Sequence, residues 1–195
     1  MNRAIFHSKI NTSLFGGRIN QSQKDGINFK LEAWQQSGLT DIRWLAYMLA
    51  TSYHETARTM QPIEEYGKGK GKTYGKKIKY NRLPYTNPDK IYYGRGDAQL
   101  TWYENYELMG KLLNIPLLEH PELALQPSIS AKIMIEGMTR GKSGRGDFTG
   151  VSLENYFNNT KDDPRNARKI INGLDKADLI ASHHIKFLDA IKLSV

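Results

Sequence analysis

Cysteine is absent from the 195-residue sequence. That excludes disulfide staples, thiolate metal ligands and a thiolate nucleophile. It leaves the compartment open, because an exported protein can also lack the residue. Long apolar runs are missing too: nothing approaches the length of a membrane span. The opening MNRAIFHSKINTSLFGG is too polar and too interrupted for the apolar core of a signal peptide, so the expected place of synthesis is the cytoplasm, and action outside it would need a separate route. Acidic residues are in deficit, 20 against 28 lysines and arginines, and the formal net charge of +8 favours attraction to an anionic polymer. Nucleic acid, acidic membrane and bacterial wall all qualify, and charge alone does not choose among them.

What is present reads as one globular domain over residues 1–195, since 39% hydrophobic and 25% charged residues suffice for a real core. Residues 3–36 predict two helices around the break at Gly16-Gly17. Ser37 or Thr40 is a candidate cap for the next helix, with Asp41 in its first turn. From Asp41 to about Thr56, Leu45, Met48, Leu49 and Ser52 recur at the spacing of one helical face. Residues 61–98 then show little periodicity, with five glycines between 67 and 94 and seven lysines from 68 to 90, which predicts a long irregular or short-stranded segment of the kind that carries function. Helical spacing returns after Leu100. Residues 128–138 read as a buried helix, GKSGRGDFTG as a break, 151–157 and 164–171 as short helices, and Ala177 to Ile191 as a closing helix.

The chemistry gathers around YMLATSYHETARTMQPIEE, residues 47–65. Glu55 follows Met48 by seven residues and so ends the core-facing stripe. Partial burial there favours a protonated carboxyl suited to donating a proton. The structural alternative is an ion pair with Arg43 or Arg58. Glu64 and Glu65 lie nine and ten residues further on, and glycoside hydrolysis asks for two such carboxyl groups, one acid and one base or charge stabiliser. Balancing the nearby lysines is their plainer role.

His54 raises the question of zinc, but HETAR is not HExxH, and the adjacent His183 and His184 do not converge on one ion. Neither a metal nor a cofactor is expected. Two runs, GKGKGKT from Gly67 and GMTRGKS from Gly137, imitate a phosphate loop with one residue too few between the glycines. The first reads more simply as a mobile basic rim. Residues 92–106, YYGRGDAQLTWYENY, combine ring faces, an amide and a hydroxyl as sugar-binding surfaces do, although a buried tyrosine-rich strand and helix would carry the same residues.

Taken in order, ATSYHETA, YYGRGDAQLTWYENY and ARKIINGLDKAD resemble the glycoside hydrolase family 19 domain of plant-type chitinases, and more closely the bacteriophage and bacterial endolysins of that family. The resemblance implies a mainly α, lysozyme-like two-lobed domain with a central cleft and a small irregular or β-containing insertion. It implies Glu55 as proton donor and Glu64 as second carboxylate, with Glu65 a rival. Gln99 and Thr101 would position substrate and water, Tyr93 and Arg95 would shape the cleft, and Asn172 would bind sugar. His54, next to Glu55, reads from its position as orienting a neighbouring carboxylate or packing at the helix end, and is counted with the substrate-binding candidates. Asp97 departs from the small or apolar residue of many members.

These residues lead to the expectation of a metal-independent muramidase that cleaves the β-1,4 bonds between N-acetylmuramic acid and N-acetylglucosamine. An inverting enzyme would separate the two carboxyl groups by ~6.5–9.5 Å. Bacterial peptidoglycan is the expected partner, with no nucleic acid, no membrane insertion and a monomeric state. A holin or a delivery device would bring the enzyme from the host cytoplasm to the wall. A chitinase and a non-catalytic wall-binding module are the alternatives.

Overall fold

The computed structural model describes residues 1–87, 89–139 and 148–195. Six α-helices make its frame: α1 (Arg3–Ser13), α2 (Gln21–Ser37), α3 (Ile42–Glu55), α4 (Tyr103–Leu113), α5 (Pro127–Thr139) and α6 (Ala177–Lys192). Between α3 and α4 the described residues form two short strands, β1 (Ile63–Glu64) and β2 (Arg95–Gly96), paired antiparallel with Glu64 opposite Arg95. The segments expected as short helices at 151–157 and 164–171 contract to single 3-10 turns at Leu153–Asn155 and Asn166–Ile170. Among the described residues no helix is long and apolar enough to cross a membrane.

Two apolar cores divide the molecule. The larger is built from α1, α2, α3, α5 and α6, and α3 runs through it with every residue from Leu45 to Tyr53 buried. This helix is therefore surrounded on all sides, where the sequence pattern had predicted one apolar face. Its cap also differs from expectation. Asp41 accepts from the Arg43 amide, because Ser37 is occupied in closing α2, donating to Trp34 O and accepting from Leu39 N. The smaller core joins Tyr85, Tyr92, Leu100, Tyr103, Tyr106 and Met109 to residues around α5, and Phe148 packs against both cores. Fully burying side chains of this size contributes about 1.5–3 kcal/mol each.

Asp97, the residue that departs from the family pattern, explains how the cores are fastened. Its carboxylate lies 2.7 Å from Lys30 Nζ of α2, and both side chains are almost fully buried. Ser52 of α3 and Ser130 of α5 donate to the same carboxylate at 3.0 and 2.7 Å, while Lys30 also donates to the carbonyls of Gly26 and Met60. One acidic group thus ties three helices to the turn after β2. Removing either member of such a pair leaves a buried charge unmatched, at a cost of about 3–5 kcal/mol.

Candidate active site

A cleft of about 420 Å³ opens between the two cores, and Glu55 is the only carboxylate among its described lining residues. The side chain ends α3, is 15% exposed, and accepts from Arg168 Nη1 on Oε1 at 2.6 Å. Neither Arg43 nor Arg58 is its partner: Arg43 turns to Asp41, and Arg58 lies over the Tyr53 ring. Arg168 is itself 2% exposed and donates through Nε to Asp175 O at 2.9 Å. Its own carbonyl accepts from Asn172 N at 3.0 Å, so a single buried arginine connects Glu55 to the segment that carries Asn172. Sequence spacing gave no sign of this residue, which is 113 positions from its partner.

Gln99, Thr101 and Asn172 line the same cleft. Gln99 sits in the left-handed region at φ 53°, a strained conformation of the kind that clusters at binding sites. Its Nε2 donates to the carbonyls of Ile63 and Gly96, which leaves Oε1 to accept from a ligand. Thr101 donates its hydroxyl to Gln99 O at 2.7 Å and keeps lone pairs to accept. Gly94 makes room for both: a Cβ there would fall 2.7 Å from Gln99 Oε1 and 3.4 Å from Thr101 Oγ1. At Gly96, with φ 89°, a Cβ would press on Ala124 O and Ser130 Oγ at 2.9 Å each. The two glycines of YGRG thus serve the turn that presents Gln99 and Thr101.

An aromatic wall completes the cleft. Tyr80 stacks on Trp102 at 4.3 Å between ring centroids, and Tyr74 meets Trp102 edge-on at 5.4 Å. Tyr80 is 58% exposed and offers a face on which a sugar ring can stack. The sequence pattern had directed attention to the tyrosines of 92–106. Tyr92, Tyr93, Tyr103 and Tyr106 are instead buried, leaving Trp102 as the aromatic residue of that run that lines the cleft.

The remaining candidates lie outside this lining. Glu64 on β1 is held 2.7 Å from Lys68 Nζ, and the Lys68 ammonium, with Tyr93 and Arg95 behind it, keeps the carboxyl below the usual carboxylate range. The adjacent Ile63 is bonded by Gln99, so Glu64 stands beside the cleft rather than in its wall. Glu65 faces other donors, accepting from Tyr74 Oη at 2.9 and 3.0 Å and from Gly94 N at 3.2 Å. Burial, reinforced by Glu65, pushes the Tyr74 hydroxyl up to about 12. Tyr93 and Arg95 are buried behind the cleft, the guanidinium 3.6 Å from the Tyr93 ring centroid and donating to Tyr106 Oη.

His54 faces a separate hollow of about 220 Å³ with Arg58 and His183. No group of three or more potential metal-binding side chains forms among the described residues. The glycine–lysine run from Gly67 is a loop, and the second phosphate-loop imitation lies in part, at residues 140–143, outside the described residues, as does most of GKSGRGDFTG.

No protein-family model matches the chain. Among solved structures, a bacterial family 19 chitinase superposes with a TM-score of 0.64 at 21% identity, covering 97% of this chain and 94% of that one. The fold is that of a family 19 chitinase. A class IV family 19 chitinase from Zea mays gives a TM-score of 0.61 at 18% identity, over 98% of this chain and 92% of its own. In sequence, an endochitinase of Arabidopsis thaliana is 38% identical over 94 residues, 48% of this chain and 31% of the relative. An acidic endochitinase of Populus trichocarpa is 37% identical over 102 residues, 48% of this chain and 29% of the relative. The chain thus spans about a third or less of the length of these curated relatives. The family 19 fold accounts for the two lobes, the sparse sheet and the cleft between them.

Proposed function

We propose that this protein is a family 19 glycoside hydrolase of the endolysin type, cutting β-1,4 bonds of peptidoglycan between N-acetylmuramic acid and N-acetylglucosamine. The observation that carries the reading is the convergence of Glu55 with Gln99, Thr101, Asn172 and an aromatic wall in one cleft. With Oε1 engaged by Arg168, Oε2 of Glu55 is the oxygen left to deliver a proton to the substrate. That proton passes to the glycosidic oxygen as the C1–O bond breaks. Water then bonds to C1, oriented by the acceptor atoms of Gln99 and Thr101, and gives up its proton to a carboxylate. Glu64 takes that role, since Lys68 favours its ionised form, whereas both Glu65 oxygens are engaged in supporting Tyr74. Asn172, exposed and without a side-chain partner among the described residues, is the amide available to an N-acetyl group. The enzyme would act as a monomer and reach the wall from the host cytoplasm through a holin or a delivery device.

A chitinase acting on uncharged N-acetylglucosamine polymers is the second reading, favoured by the names of the relatives in both comparisons. Mass spectrometry of products from purified peptidoglycan and from chitooligosaccharides separates the two. The expected result is muropeptides with a reducing N-acetylmuramic acid end, lost in Glu55→Gln and in Glu64→Gln. Wild-type rates in Glu55→Gln would remove the acid assignment. Release from chitooligosaccharides alone would replace the muramidase reading with the chitinase one, and wall binding without products would leave only a binding module.

A further inference from the structure

The glycine–lysine run beside the cleft is a built loop, in place of the mobile rim that its composition suggests. From Gly67 to Lys76 it advances through successive reverse turns, with the amides of Lys70, Lys72 and Lys76 donating to Gly67, Gly69 and Thr73 carbonyls at 2.8 to 3.0 Å. It then folds back on itself. A Cβ on Gly75 would lie 1.8 Å from Gly69 O, so only glycine permits the crossing, and Gly69 and Gly71 adopt φ of 81° and 76°. The glycines close the loop, and the lysines between them end around one concavity.

That concavity measures about 350 Å³ and is lined by Lys68, Lys70, Lys72, Lys76, the loop glycines and Ile91. Among the described residues no carboxylate lines it. Lys68 is engaged by Glu64, but Lys70, Lys72 and Lys76 make no ion pair among the described residues. Lys72 also lines the cleft, so the two hollows adjoin. Three lysines that line one hollow without an ion-pair partner among the described residues leave positive charge there that a bound anion would meet. An uncharged glycan offers no such group.

We infer that the lysine basin is an anion-binding subsite that receives carboxylate or phosphate groups borne by the polymer whose sugar chain occupies the cleft. The inference rests on the peptidoglycan reading and sharpens it. Two sources carry this chemistry in a wall, the carboxylates of peptide stems and the phosphodiesters of attached polymers. Glycan running along the cleft past Lys72 would bring either into the basin.

The test is binding without turnover. In a Glu55→Gln background, Lys70→Gln/Lys76→Gln is compared with a charge-matched control, Lys9→Gln/Lys192→Gln, at exposed positions remote from the cleft. Affinity is measured by sedimentation with intact purified wall, with wall stripped of phosphate polymers by hydrofluoric acid, and with glycan strands freed of peptides by an amidase. The basin variant is expected to bind intact wall about five- to tenfold more weakly than the control at low ionic strength. The preparation on which this gap closes identifies the anion. Equal binding by the two variants on intact wall overturns the subsite even if the wild type digests peptidoglycan. An equal gap on uncharged chitin overturns it as well. Wild-type turnover of peptidoglycan, measured in parallel, decides separately whether the underlying reading stands.

Discussion

Glu55 and Arg168 form one unit, because neither side chain has another charged partner among the described residues and the arginine is buried. Substituting Arg168→Met strands a carboxyl at the end of α3 and removes the side-chain bond to Asp175 O, while the backbone bond from Asn172 N to residue 168 remains. The expected outcome is a loss of about 3 kcal/mol of stability and at least about a hundredfold in turnover. Arg168→Lys separates the two effects: it keeps the cation but loses the planar fork that bonds Glu55 and Asp175 O together. Its melting temperature should lie near the wild type while kcat stays low. If Arg168→Lys retains wild-type kcat, the arginine is only a structural counter-charge. Glu55 itself was legible in the sequence because it closes an apolar helix. Arg168 was not, because its role is created by tertiary packing and no local pattern encodes it.

Among the elements, α6 carries a pH liability that follows from where it packs. His184 lies between Tyr47 and Phe157, with ring centroids 5.6 and 5.2 Å away, and His183 meets Tyr53 at 4.9 Å. Burial pushes both imidazoles down from 6.5 to about 4. The neighbouring charges act less strongly: Asp162 and Asp189 oppose Arg43 and Lys192 around His184, while His54, Arg58 and Lys186 face His183. Below about pH 6.5 the unfolded chain therefore binds protons that the folded chain refuses. Stability is fully present above that pH and is lost as pH falls towards 4, by up to about 1.4 kcal/mol per unit for each histidine. His184→Phe, which keeps the ring and removes the titration, should flatten the melting-temperature profile between pH 6.5 and 4. A profile parallel to the wild type would exclude His184 as a source of acid sensitivity.

The helices themselves were readable from periodicity, but several of their details were set elsewhere. The cap of α3 passed to Asp41, with Ser37 taken by α2, and the helices expected at 151–157 and 164–171 shortened to brief 3-10 segments. In YYGRGDAQLTWYENY the sequence holds both the buried tyrosines of the smaller core and the half-buried Trp102 of the cleft wall, and composition does not distinguish a ring that packs from a ring that waits for a ligand. Backbone direction does. Trp102, at φ 78°, turns at the entry to α4 and joins the wall made with Tyr74 and Tyr80.

For the whole molecule the net charge of +8 acts together with the placement of the lysines. Dispersed charge steers any basic protein towards any polyanion, and such steering weakens as the Debye length falls from about 10 Å at 0.1 M salt to about 3 Å at 1 M. A lysine basin adjoining the cleft adds a local attraction at the point where the polymer must lie. Turnover of peptidoglycan at low substrate concentration is therefore expected to fall about tenfold between 0.1 and 1 M salt, mainly through KM. Chitooligosaccharides bear no charge, and their hydrolysis should change little over the same range, because Tyr80 stacking and the amides of Gln99 and Asn172 do not depend on ionic strength to first order. The two substrates, assayed side by side on one preparation, distinguish electrostatic recruitment from general salt inhibition. Parallel declines would mean that salt acts on the cleft or the fold, and the positive charge would then have no part in selecting the polymer.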